Sequence, residues 1–295
     1  MRVPKLLRPI VEQVGVMAFA AFRKLPSGPG AHANRRRLFR RAISDDGMLD
    51  RMRDQAPLPP GYGVSVDERC VEYPWALAHL RESSGRLLDA GSVLNYEMFV
   101  THPVIAAHEL HILTFAPETE AYWKRGISYI FGDLRENPIR DGFYDTILSL
   151  STLEHVGCDN SHYSGSTAHR EARPEDYRTA IRELARVLKP GGTLLFSVPF
   201  GRYKNHGWLQ IFDEPMVQDA IAAFGPASEQ EVCYFRYTAA GWDVSSATAC
   251  AGAAYASWLS LGPARPFWPT RDPDNAAAAR AVACVRLVKA AAPAS

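Results

Sequence analysis

Two histidines and one glycine turn are the parts of this chain that could carry chemistry. His155 closes the run "LSLSTLEH" (148–155). A free imidazole titrates near neutral pH, so it can take a proton from a hydroxyl at working pH. His206 lies in "YKNHGWLQ" (203–210), beside Lys204, Asn205, Trp208 and Gln210. Amide groups and an indole face suit a polyhydroxy acceptor such as a saccharide. Both histidines are candidate catalytic residues. The third part is "LLDAGSVLN" (87–95), with Asp89 and Gly91. A glycine there lets backbone approach a ligand closely. A dinucleotide fingerprint would place further glycines where this chain has Val93 and Asn95. A pyrophosphate needs close approach at several points, and a nucleoside without phosphates needs less. The turn therefore disfavours a dinucleotide and tolerates a nucleoside.

The elements that must position these residues alternate. "GRLLDAG", "ELHILTFA", "ISYIFGDL", "YDTILSLS" and "GTLLFSVPF" read as five strands. Before the fifth comes "PEDYRTAIRELARVLKPGG", in which Tyr177, Ile181, Leu184 and Leu188 share one helical face. Pro174 suits its first turn, and Lys189-Pro190-Gly191-Gly192 stops it. "EVCYFRYT" and "AVACVRLVK" add two strands near the end. The expected fold is α/β: a doubly wound, mostly parallel seven-stranded sheet of Rossmann-like type, with the last two strands as an antiparallel edge pair. In such a sheet the ligand sits beyond the carboxyl ends of the strands. That singles out the loops after Ala90, Phe115, Phe131 and Ser149.

The chain has 295 residues, 47% hydrophobic and 22% charged, with formal net charge +1. No nucleic-acid partner is expected from that balance. The charge is uneven. Arg2, Lys5, Arg8, Arg23, Lys24, Arg35, Arg36, Arg37, Arg40 and Arg41 face only Glu12 within residues 1–43. "APLPPGYG" (56–63) is a break. Residues 1–60 are therefore read as a basic helical extension, and 61–295 as the α/β domain. The extension is either a solvated helical arm or a peripheral contact with an anionic membrane surface or polyanionic substrate. "IVEQVGVMAFAAF" (10–22) reads as an amphipathic helix rather than a signal peptide, and no apolar run is long enough to span a bilayer. Five widely spaced cysteines without a C-x-x-C pair point to a reducing, cytoplasmic setting.

Read in order, "LLDAGS", "GDLRENPIRDGFYDTILSLSTLEHVG" and "ELARVLKPGGTLLFSVPFG" resemble the motifs of class I S-adenosylmethionine-dependent methyltransferases, over roughly residues 70–200. The resemblance implies S-adenosylmethionine as cofactor. It implies that Asp89 and Gly91 line the methionine part, with Asn95 in the same turn. Asp133 would accept a hydrogen bond from the adenine amino group, with Leu134 beside the ring. Ser149 and Ser151 would lie near the sulfonium. An acid is expected at the end of the second strand to hold the ribose; Thr114 stands there, and Glu118 a little later. Some relatives carry E-x-x-E-H and bind a divalent cation with it. Here the run is Ser151, Glu154, His155, one carboxylate short, and no metal is expected. The implied reaction is methyl transfer to a hydroxyl oxygen of a small molecule or saccharide, with His155 as base. The alternatives are a nicotinamide oxidoreductase and a methyltransferase-like protein that only binds.

Overall fold

Short apolar runs that end in turns become the strands, and the glycine-poor stretches between them become helices. The computed structural model describes residues 8–22, 24–81, 83–116, 118–256 and 272–291. The strands are β1 Gly85–Ala90, β2 His108–Thr114, β3 Ser128–Phe131, β4 Tyr144–Leu150, β5 Leu188–Pro199, β6 Lys204–Asn205, β7 Gln210–Ile211, β8 Ala227–Thr238, β9 Gly241–Ser245 and β10 Ala281–Lys289. The helices are α1 Arg8–Ala21, α2 Ala31–Ile43, α3 Asp46–Arg53, α4 Arg69–Leu80, α5 Glu97–Val100, α6 Pro103–Ala106, α7 Ser161–Ser164, α8 Tyr177–Val187, α9 Glu214–Phe224 and α10 Ala247–Cys250.

The main sheet runs β3-β2-β1-β4-β5-β10-β8-β9. β1 to β5 are parallel neighbours, and β10, β8 and β9 pair antiparallel. The doubly wound, mostly parallel reading is the observed one. The strand count differs, at eight rather than seven. β9 is a five-residue return of β8 that took no part in the periodicity, because a half-buried edge strand needs only one apolar face. β8 and β10 do pair, but β10 inserts beside β5, and β9 takes the edge. β6 and β7 form a separate two-stranded hairpin.

Alternation along the strands sends side chains to two cores. Leu87, Leu148, Leu150 and Leu195 pack with Trp75 and Leu77 of α4, and with Phe39, Ile43, Leu49 and Met52 of α2 and α3. Leu88, Ile147, Leu194 and Phe196 pack with Ile181 and Leu184 of α8 and Val217 of α9. Each such side chain, fully buried, contributes roughly 1.5–3 kcal/mol. Residues on both sides of the 56–63 break thus share one core. The α8 face is as expected through Leu184, whereas Leu188 begins β5, because α8 ends at Val187.

α1 is held on α2 by close backbone approach. A β-carbon at Gly15 would lie 2.6 Å from that of Ala33, and one at Gly30 would collide with the Gly15 carbonyl. Phe19 is the buried anchor of α1.

Candidate active site

The strand order reverses between β1 and β4, since β1 leads outward to β2 on one side and meets β4 on the other. Such a switch point leaves a crevice at the carboxyl ends of the strands. A cavity of about 1210 Å³ lies there. Gly91, Thr114, Glu118, Ser151 and His155, at or just beyond strand ends, line it, as do His32, Arg36 and Arg40 of α2.

The first turn is built around Asp89. Its carboxylate is fully buried and accepts the backbone N–H of Val93 at 3.1 Å and of Leu94 at 2.8 Å. Burial outweighs those two bonds and pushes the carboxyl up to about 7. Asp89 thus shapes the turn from beneath, while Gly91 and Ser92 reach the cavity. Gly91 has φ 126 and Ser92 φ 62, both left-handed. A β-carbon on Gly91 would sit 2.2 Å from the Thr152 hydroxyl, so only glycine lets the β1 and β4 exit loops touch. The Ser92 hydroxyl is buried, has no partner and belongs to a cavity-lining residue.

Asn95 is buried and does not line the cavity. Its amide nitrogen donates to Glu118 Oε2 at 2.7 Å and to the Glu120 carbonyl at 2.9 Å. Its oxygen accepts from the Tyr129 hydroxyl at 2.8 Å. Thr114 ends β2 at the cavity wall, and its hydroxyl is spent on the Ala116 carbonyl. Beyond β2 two acidic residues, Glu118 and Glu120, line the cavity, and Glu118 is the one fixed by Asn95.

Asp133 lies away from the cavity lining, gripped by Arg135 through Nε at 3.0 Å and Nη2 at 2.6 Å. Burial pushes this carboxyl up, but the Arg135 hydrogen bonds win and hold it below the usual carboxylate range. Arg135 also binds Glu171 and Asp176, each at 2.7 Å. Leu134 is buried in the α8-side core with Leu88 and Leu113. Neither residue reaches the cavity in this arrangement.

At the end of β4, Ser149 donates to the Ala90 carbonyl at 3.0 Å. Ser151 has φ 37, an uncommon left-handed conformation for serine. Its hydroxyl donates to Glu72 Oε1 at 2.6 Å, and Ser197 donates to the same oxygen at 2.6 Å. Glu72 is a fully buried residue of α4, with Arg69 Nη1 3.4 Å from its other oxygen. One carboxylate thus ties α4 to the ends of β4 and β5.

His155 faces the cavity. Its Nδ1 lies 2.8 Å from the Trp208 carbonyl, which can only accept, so Nδ1 carries the proton and Nε2 the lone pair. Burial pushes the imidazole down to about 4, more than the Trp208 bond lifts it. The ring packs edge-on to Tyr163 and beside Trp208. Glu154 Oε1 is 3.9 Å from Nε2, and burial holds that carboxyl well above its usual range. His206 is placed elsewhere. It sits in the β6–β7 hairpin with its ring 6.2 Å from Tyr255 and does not line the cavity. Gln210 is buried and donates to the Pro174 carbonyl at 2.5 Å, and Asn205 accepts from Gly207 N–H. Asn205 thus holds its own loop and Gln210 ties it to Pro174; Asn160 and Tyr163 reach the cavity in their place. Among the described residues no group of three or more His, Cys, Asp or Glu could hold a metal.

Residues 111–196 match the family model of the methyltransferase domain. Over that segment the chain is similar to methyltransferase domains. No curated protein matches the chain. Among solved structures it is similar to the cyclase SpnF, with 16% identity over 84% of this chain and 81% of that one, TM-score 0.43. It is similar to a SAM-dependent methyltransferase from Thermotoga maritima, with 15% identity over 86% and 99%, TM-score 0.41. It is also similar to 1,6-didemethyltoxoflavin-N1-methyltransferase from Burkholderia thailandensis, with 13% identity over 98% and 92%, TM-score 0.43. Likeness at this level carries nothing about the acceptor. Sequence reasoning missed Ser92 and Thr152, although both adjoin residues it singled out. It also missed the α2 lining, which no local motif marks.

Proposed function

We propose that the cavity binds S-adenosylmethionine and that the chain transfers its methyl group to a hydroxyl oxygen of a small molecule or saccharide. One observation carries this reading: the Gly91–Ser92 turn, Glu118 and His155 line one cavity at the switch point of the sheet. The donors present fit the cofactor. The unpartnered Ser92 hydroxyl suits the amino-acid tail, the Glu118 carboxylate suits a ribose diol, and half-exposed Phe115 offers an apolar face to a base. A phosphate-free ligand agrees with a turn that has one glycine.

When bound, S-adenosylmethionine supplies an electrophilic methyl on sulfur. The protein must align the acceptor oxygen with that methyl and accept its proton. His155 is neutral at working pH and its Nε2 lone pair is the base. Burial makes that base weak, so positioning carries much of the rate. Supporting contacts for the acceptor come from Tyr163 and Asn160 of the α7 region and from α2. A cytoplasmic setting, with the basic N-terminal region against a membrane surface and no nucleic-acid partner, belongs to the same reading. Among the described residues no helix is long and apolar enough to cross a membrane.

Isothermal titration with S-adenosylhomocysteine tests the cofactor; absence of both heat and thermal shift removes the reading. Incubation of metabolite extracts with methyl-labelled cofactor, followed by mass spectrometry, tests the reaction. Label on nitrogen or carbon instead of oxygen would overturn the acceptor class.

A further inference from the structure

α1 buries one side and exposes the other. Phe19 and Gly15 face inward, on α2. Ile10, Val14 and Met17 follow at i, i+4 and i+7 and are 61%, 61% and 63% exposed, with Phe22 at 53% just past the helix end. A surface helix normally turns its apolar stripe inward. Here the only acid of α1 is Glu12, which is bonded to Arg40. Arg37 of α2 donates to Gln13 at 3.1 Å. The outward stripe is thus flanked at its base by arginines. Arg36 and Arg40 lie on the cavity side, with Arg37 bonded to α1 as well. Val11 and Glu12 of the same helix line the cavity, so the helix that carries the stripe also borders the cavity.

We propose that α1 docks on an anionic lipid bilayer, with Ile10, Val14, Met17 and Phe22 at the headgroup–acyl boundary and the arginines of α2 on lipid phosphates, so that the cavity opens at the membrane surface. Apolar insertion beside a cluster of cations is the chemistry of an interfacial helix. A second copy of the chain fits less well. Stripe-to-stripe packing would bring two strongly basic segments together, and like charges repel. Only the consequence for the acceptor, that it is presented at the lipid surface, rests on the methyl-transfer reading. The docking itself does not.

The test is co-sedimentation of the full chain with phosphatidylcholine vesicles and with phosphatidylcholine vesicles carrying about one third phosphatidylglycerol. The chain should partition at least about tenfold better onto the anionic vesicles, and added salt should reverse this. The double variant Val14→Glu, Met17→Glu should lose about tenfold or more of that partition. Arg37→Glu, Arg41→Glu should weaken it while leaving the stripe intact. Both variants should bind S-adenosylhomocysteine as the parent does, which shows that they are folded and separates this proposal from the cofactor reading. Equal binding to both vesicles, binding unchanged in the Val14/Met17 variant, or a dimer in sedimentation velocity that this variant abolishes would each overturn it.

Discussion

The amide of Asn95, in the turn after β1, donates to the carboxylate of Glu118, beyond β2, at 2.7 Å. The Tyr129 hydroxyl from β3 fixes that amide from its other side. The segments that leave β1 and β2 and a residue of β3 are thereby joined through one buried side chain. Asn95 does not line the cavity, yet it decides where Glu118 stands. A charge-assisted hydrogen bond of this kind is worth roughly 1.5–3 kcal/mol.

Glu118→Ala should weaken S-adenosylhomocysteine binding by about tenfold to a hundredfold, the range expected for a lost hydrogen bond to a charged group. Asn95→Leu should weaken it less, since it frees Glu118 without removing it. Calorimetric titration reads both. An unchanged dissociation constant for Glu118→Ala would remove the ribose assignment.

Gly91→Ala should lower both cofactor affinity and melting temperature. The strained φ of 126 alone costs roughly 1–3 kcal/mol for an L-residue. The new methyl would also meet Thr152. Adding Thr152→Ser in the same chain removes a methyl but leaves the hydroxyl, so it should rescue little. Full rescue would mean that φ at this turn is not strained by alanine.

Much of the sheet was legible because β1, β2, β4 and β5 are apolar runs ending in polar turns, which is the pattern of strands buried on both faces. Gly91 and His155 could be found for the same reason, since each stands in the loop that leaves a strand end. Other features depend on distant packing. Arg36 and Arg40 reach the cavity only because Phe39, Ala42 and Ile43 anchor α2 on α4, and no local spacing encodes that. Asp133 reads as a free acid in sequence, whereas Arg135, two residues on, occupies it. The ordinary titration range of His155 was a reference value; its burial is a tertiary fact. β9 was missed since five residues with one apolar face resemble any loop.

Glu72→Ala should destabilise the fold by about 3 kcal/mol or more, because two buried hydroxyls and Arg69 lose their shared partner. Glu72→Gln keeps an oxygen that can accept from Ser151 and Ser197, and should cost clearly less. Urea denaturation measures both. Equal costs would show that the charge, not the hydroxyl pair, is what matters.

Asp89 predicts a pH dependence of stability. Its folded value is raised to about 7 by burial, whereas the unfolded carboxyl ionises near its ordinary value of 3.8. As pH rises between these values the unfolded state loses its proton first, so stability present below pH 3.8 is lost on the way to pH 7, on the order of 4 kcal/mol as a ceiling. Asp89→Asn should flatten that slope in denaturation curves taken across the range. At low pH, where Asp89 is protonated in both states, it should also lower stability, because one of the Val93 and Leu94 N–H groups then faces an amide NH2. A slope unchanged in the variant would place the titration elsewhere, with buried Glu68, also pushed up to about 7, the next residue to replace.

His155 should leave no mark of its own on the rate between about pH 6 and 8. With its imidazole pushed down to about 4 by burial, the ring is already neutral through that range, its Nδ1 proton is held by Trp208, and Nε2 is ready to accept. A solvated histidine would instead give a limb near its ordinary pKa of about 6.5. His155→Ala should lower turnover by about a hundredfold or more, the usual size of a lost general base. His155→Gln can still donate to the Trp208 carbonyl but is no base at all. If Gln restores the rate, the ring serves to shape the cavity beside Tyr163 and Trp208, and the proton leaves by another route.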